Sequence, residues 1–232
     1  MSRYIKNIHI NKVRHLSNIN IPLDKEDYPH LMITGKNGSG KTSLLNAIAN
    51  YIERVAKSIY KKFENLGEVT VTFEDIDSLI RRHQEGNFIL AFYEAHRTIK
   101  KLKEPKTPTK PTLRRRSKIK DSLTSQFLNF LADLKIQEAL ARNEKLERDA
   151  NQIREWFVNF ERLLGEIFQD KDLQLYFNYK DYSFKILTKG KEFKFTELSD
   201  GFAAVLDIVV DLILKMQHKN QLIRVYECDG IV

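Results

Sequence analysis

Apolar and polar residues alternate at 3–10 (RYIKNIHI) and again at 17–23 (SNINIPL), the period-two pattern of half-buried strands. A short turn-like stretch around Val13, Arg14 and His15 separates them, so the pair predicts an antiparallel hairpin. The apolar run at 30–34 (HLMIT) predicts another strand, one that feeds directly into glycines. From 42 to 62 the pattern changes period: Leu44, Leu45, Ile48, Ile52 and Val55 fall at helical spacing. Strand, Gly-rich loop and helix therefore follow one another directly. Two further strands are predicted at 68–74 (EVTVTFE) and 87–93 (NFILAFY), with a short helix between them.

Near Ile99 the periodicity stops. Pro105, Pro108 and Pro111 lie among Thr and Lys, where neither a helix nor a strand can continue, and a mobile loop is predicted. Two long helical patterns follow. Leu123, Phe127, Phe130, Leu131 and Leu134 form one; Ile153, Trp156, Phe157, Phe160, Leu163, Leu164 and Ile167 form the other. The charged stretch Asn143 to Asp149 separates them and leaves open one bent helix or an antiparallel hairpin. The Trp156/Phe157/Phe160 stripe reads as core. Strand patterns return at 173–178, 182–187 and 192–195, with Lys189-Gly190-Lys191 as a turn, and a helix is predicted from about Ser199 to His218. The sequence contains no internal repeat.

Composition narrows the class. The 232 residues suffice for one α/β domain with a sizeable core, or for two small domains. No run is long and apolar enough to span a membrane, and residues 1–5 lack the apolar stretch of a signal peptide, so a cytoplasmic protein without a membrane partner is expected. The single cysteine, Cys228, excludes an internal disulfide framework and a cysteine-rich metal site. The net charge of +8 is local: residues 100–120 hold ten Lys/Arg and one acid, leaving the remainder near neutral. That segment, with Arg114, Arg115 and Arg116 at its centre, is a candidate nucleic-acid contact, since neutralised phosphates release counterions. No aromatic residue interleaves with its lysines, so base stacking has no support there.

The sharpest chemical signal is Gly35-Lys36-Asn37-Gly38-Ser39-Gly40-Lys41-Thr42, which fits GxxxxGK[ST] without a mismatch. Glycines let the backbone wrap so that successive N–H groups converge on phosphate oxygens at the positive end of the following helix. In this Walker A pattern Lys41 reaches the β- and γ-phosphates of ATP and the Thr42 hydroxyl ligates Mg²⁺. Gly35, Asn37, Gly38, Ser39, Gly40, Lys41 and Thr42 are the expected nucleotide-binding residues.

A second element opens the last helix: Glu197-Leu198-Ser199-Asp200-Gly201-Phe202, with Ser199 placed as N-cap. Simple capping would explain a Ser-x-Gly helix start by itself. Together with the upstream Walker A pattern, it resembles the LSGGQ signature of ABC-type ATPases. The order of hairpin, Walker A, helical insertion and signature is similar to that of the soluble ABC ATPases of the SMC, RecF and OLD group, and in particular to the bacterial AAA-labelled ATPases often coded in anti-phage defence operons. The resemblance spans nearly the whole chain, although only the two phosphate motifs are specific. It implies a P-loop NTPase α/β fold of ABC type over residues 1–232, with a mixed sheet, an N-terminal antiparallel β-subdomain and a basic loop plus helical insertion at 99–170. It implies a homodimer on ATP binding, in which Leu198, Ser199 and Gly201 of one protomer meet the Walker A site of the other. Arg14 matches an arginine that many of these proteins carry near the nucleotide.

The sequence also departs from that pattern. Residues 89–97 (ILAFYEAHR) occupy the place of the Q-loop strand but contain no Gln, and Asp200 and Phe202 replace a Gly and a Gln of the signature. His96 and Arg97 read as structural or coupling residues rather than phosphate sensors. The family's apolar strand ending in Asp-Glu has no counterpart after the signature: Gly230-Ile231-Val232 reads as its start, and the sequence stops there. The expectation is a chain truncated before Walker B, which binds ATP and turns it over poorly. Val71-Thr72-Phe73-Glu74-Asp75, upstream, reads as a strand end rather than a catalytic substitute. Control of an associated effector or nuclease is the leading functional expectation. A DNA-repair or chromosome-associated ATPase holding DNA across the dimer is the alternative. A detached transporter subunit is disfavoured by the large insertion and the missing Gln.

Overall fold

The computed structural model describes residues 5–23, 30–57, 67–94, 102, 104–105, 118–217 and 228–232. The protein is mixed α/β and divides into two compact units, one of Met1–Phe92 with Asp229–Val232 and the other of Tyr93–Cys228. Among the described residues, no helix is long and apolar enough to cross a membrane.

In the first unit, β1 (Ile5–Val13) and β2 (Leu16–Pro22) form the expected hairpin, in antiparallel register from Asn7↔Pro22 to Val13↔Leu16. Arg14, at the turn, takes the left-handed backbone conformation. β3 (Val69–Phe73) pairs on the other side of β1, giving the order β2-β1-β3. The register sets Ile8 opposite Val71 and Ile10 opposite Val69, all four of them buried. Helix α1 (Lys41–Lys57) buries the stripe Leu44, Ile48, Ile52 and Val55 and packs against β1 and β3. Burial raises the pKa of the Tyr51 phenol on this face, against a hydrogen bond with the backbone of Val71.

α2 (Ile76–Glu85) starts at Asp75, whose carboxylate accepts from Ser78 N at 2.9 Å, and ends at left-handed Gly86. β4 (Phe88–Leu90) then pairs in parallel with β8 (Asp229–Ile231). The approach demands a glycine: a Cβ on Gly230 would lie 2.7 Å from the Ile89 carbonyl oxygen. An ion pair between Arg82 and Asp229 fixes the start of β8.

One strand expected from the sequence is absent. Residues 30–34 adopt no strand, and Met32 is 86% exposed. An apolar run becomes a strand only when a neighbour completes its ladder, and none of the ladders among the described residues reaches this segment.

The second unit is built on an aromatic core. Its two long helices, α3 (Phe127–Asn143) and α4 (Glu147–Phe168), are joined by a short turn with Lys145 in the left-handed region. Phe127 meets Phe160 and Phe130 meets Trp156, a reversed order that settles the open alternative in favour of an antiparallel hairpin. Trp156 also stacks on Phe160, and the stripe is buried as core. β5 (Gln174–Asn178), β6 (Ser183–Thr188) and β7 (Lys191–Lys194) form an antiparallel meander. Its inner face, Phe184 and Ile186, joins the helical core. Asp170, just beyond α4, ties that helix to the β6–β7 turn by accepting from the Thr188 hydroxyl and from Lys189 N. α5 (Asp200–Lys215) closes the unit, with Leu206, Val210 and Leu214 buried.

Candidate nucleotide-binding site

The Gly35–Thr42 loop leads directly into α1, which begins at Lys41, so Lys41 and Thr42 occupy its first turn. No acid stands in that turn, and its unpaired backbone N–H groups carry the positive end of the helix dipole. The loop folds on itself through Ser39 N donating to Lys36 O at 3.2 Å. The Lys41 ammonium reaches back across it, donating to Gly35 O at 2.6 Å and Lys36 O at 2.8 Å. The ammonium is thereby held against two backbone carbonyls of the loop. Asn46 donates to Thr42 O at 3.0 Å, and Thr42 itself is exposed.

The β1–β2 turn leans on this loop. Gly40 has φ +86°, and a Cβ there would lie 3.4 Å from both His15 Cε1 and Leu16 Cδ1. The exposed His15 and its neighbour Leu16 thus border the Gly35–Thr42 loop, and Arg14, also exposed, precedes them in the turn. His15 was not among the expected site residues. Its signal is weak, because only the pairing of β1 with β2 reveals which turn residue faces the loop.

Mg²⁺ takes hard oxygen ligands and keeps several waters. The exposed Thr42 hydroxyl at the head of α1 fits one such position, with phosphate oxygens and water completing the shell. Among the described residues no group of three or more His, Cys, Asp or Glu gathers as a metal cluster. Of the two acids at the end of β3, Asp75 is the N-cap of α2.

In the second unit, Ser199 occupies the N-cap position of α5 with φ −63° and ψ 154°, yet its side chain makes no capping hydrogen bond. Ser199 and Gly201 are exposed, whereas Leu198 packs against the core. A Cβ on Gly201 would meet nothing within 4 Å. Packing therefore does not require the glycine, and capping does not use the serine. Phe202 stacks on Phe168, ring centroids 4.4 Å apart, which fixes the first turn of the helix. Arg114, Arg115 and Arg116, like His96 and Arg97, lie outside the described residues.

Residues 7–52 match a family model described as an AAA domain, a span that takes in β1, β2, the phosphate loop and most of α1. The match supports an AAA-type P-loop ATPase: a nucleotide-binding protein of a class that generally hydrolyses ATP and usually employs Mg²⁺. No curated protein and no solved structure matches the chain.

Proposed function

We propose that this protein is an ABC-type ATPase head of the SMC, RecF and OLD group that binds Mg-ATP at Gly35–Thr42, dimerises on binding it, and so controls an associated effector or nuclease in anti-phage defence. The observation that carries the reading is the Lys41 ammonium seated among loop carbonyls at the head of α1, together with a Ser199 hydroxyl at the head of α5 that makes no cap. Each helix start offers unpaired N–H groups to an anion. In the dimer, Leu198, Ser199 and Gly201 of one protomer close over the nucleotide of the other, with Arg14 and His15 at its rim and Thr42 on the metal. Pairing across protomers makes ATP the adhesive, because its charge is satisfied only when both helix starts face it.

In this reading the chain by itself binds nucleotide and turns it over slowly, and the Asp75 carboxylate at the end of β3 serves as the cap of α2. The test combines equilibrium binding, sedimentation and turnover. Mg-ATP is expected to bind and to convert monomer to dimer, with little phosphate released. Fast hydrolysis that disappears in Lys41→Ala would contradict the slow-turnover element, and ATP binding without any change of mass would contradict dimerisation. The alternative, an ATPase that holds DNA across the dimer, is favoured by the ten Lys/Arg within residues 100–120. It requires salt-dependent DNA binding that is lost on neutralising Arg114, Arg115 and Arg116.

A further inference from the structure

A free imidazole stands beside the start of α1. Gly40 opens that helix: its carbonyl accepts from Leu44 N at 2.9 Å, the first bond of α1. The N–H groups that follow it in the first turn have no partner within the helix. Two side chains of the β1–β2 hairpin lie against Gly40, with His15 Cε1 and Leu16 Cδ1 each 3.4 Å from the place a Cβ would take. The two differ in what they do there. Leu16 is half-buried and packs, whereas His15 is exposed, and among the described residues its imidazole makes no hydrogen bond and no ion pair. Both ring nitrogens are therefore open to a ligand, one of them as a donor in the neutral ring and both in the protonated one.

The surrounding charges are of one sign. Arg14 on the turn and Lys36 and Lys41 on the loop are the charged groups of the two elements that meet here, and neither element, nor the first turn of α1, contains a carboxylate. The Lys41 ammonium is occupied with Gly35 O and Lys36 O. A phosphate held by the loop brings negative charge to the His15 ring, and an opposite charge favours the protonated form of an imidazole.

We propose that His15 is a nucleotide-contacting residue whose imidazolium donates to a phosphate oxygen held at the start of α1, so that ATP affinity rises as the pH falls through the range in which histidine titrates. The inference rests on nucleotide binding at Gly35–Thr42 and adds a pH response to it. The gain is fully present where the ring is already protonated without nucleotide, and it is lost as the pH rises through the ring's value in the complex. Arg14, on the same turn, cannot supply such a response, because a guanidinium stays charged throughout.

Equilibrium titration of the full chain with Mg-ATP at about pH 5.5, 7 and 8.5, a span that brackets histidine titration, tests this in the wild type, His15→Gln and Arg14→Gln. Glutamine keeps a donor and side-chain bulk beside Gly40 but has no proton to gain. His15 is exposed, so the fold does not depend on it, and thermal melts at each pH check that. The titration of ATP itself is common to all the proteins and cancels in a ratio of Kd values. The ratio of His15→Gln to wild type is expected to be at least about threefold larger at the acid end than at the alkaline end, within the range an exposed ion pair supplies. The ratio for Arg14→Gln is expected to be the same at both ends. A His15→Gln ratio that does not change with pH would overturn the inference, since the ring would then only pack on Gly40. An equal change in Arg14→Gln would overturn it too, since the response would then lie elsewhere. A wild type that binds no ATP at any pH would instead defeat the reading of the loop, and the inference with it.

Discussion

Replacing Gly201 with alanine separates interface from fold in a single methyl group. Gly201 lies in the first turn of α5, is exposed, and a Cβ there meets nothing within 4 Å. On stability grounds the change is favourable: a Gly→Ala replacement at a compatible position contributes about 0.4–1 kcal/mol, chiefly by restricting the unfolded chain. In a protein of this size 1 kcal/mol corresponds to about 2–4 °C in Tm. The proposed dimer requires the opposite result in association. The methyl stands where one protomer's helix start must approach the other's phosphates, and losing one charge-assisted hydrogen bond costs about 1.5–3 kcal/mol. That corresponds to roughly a ten- to 150-fold weaker dimer in ATP. Sedimentation equilibrium with Mg-ATP, beside a thermal melt, reads both quantities. A raised Tm with an unchanged dimerisation constant would refute the placement of Gly201 in the interface.

Two further substitutions probe the scaffold. Gly230→Ala sets a methyl against the Ile89 carbonyl, and overpacking of this kind costs roughly 1–3 kcal/mol; urea denaturation should show a lower midpoint, and an unchanged one would contradict the close β4–β8 approach. The Thr188 hydroxyl first, and the backbone N–H groups of Asp172 and Lys189 after it, hold the Asp170 carboxyl below the usual carboxylate range. A depressed pKa contributes stability above the unfolded value and loses it as pH falls through the folded one. Asp170→Asn should therefore be less stable than wild type at neutral pH, and melts across an acid series should show the difference shrinking; a constant difference would contradict the assignment.

How far the sequence led depends on the range of the interaction. The β1–β2 hairpin, the helix after the phosphate loop and the β5–β6–β7 meander came from local periodicity and turn chemistry, and each is present with boundaries shifted by a few residues. The aromatic stripe of α4 was legible for the same reason, whereas the direction of the α3–α4 turn needed the contacts of Phe127 and Phe130. Residues 30–34 failed as a strand because pairing is not a property of the segment itself. The Gly35–Thr42 pattern stands out in the sequence because phosphate-binding chemistry restricts which residues can form such a loop. His15 was not legible, because its role depends on which turn residue the hairpin turns toward Gly40. Asp207, Asp211 and Lys215 left a readable trace: charges four residues apart in an otherwise apolar helix, a spacing that places them together on one face. The partners of Asp211, the Tyr93 hydroxyl and the Leu123 amide, come from distant parts of the chain.

Nucleotide binding by the loop that Lys41 closes is tested directly by equilibrium titration of the wild type and of Lys41→Ala with Mg-ATP. The Lys41 ammonium already makes two charge-assisted bonds inside the loop, and one such bond to phosphate is worth about 1.5–3 kcal/mol. Saturable binding by the wild type is expected, weakened at least about tenfold in Lys41→Ala, with both proteins equally folded. Equal affinity in the two, or no binding by a folded wild type, would contradict it.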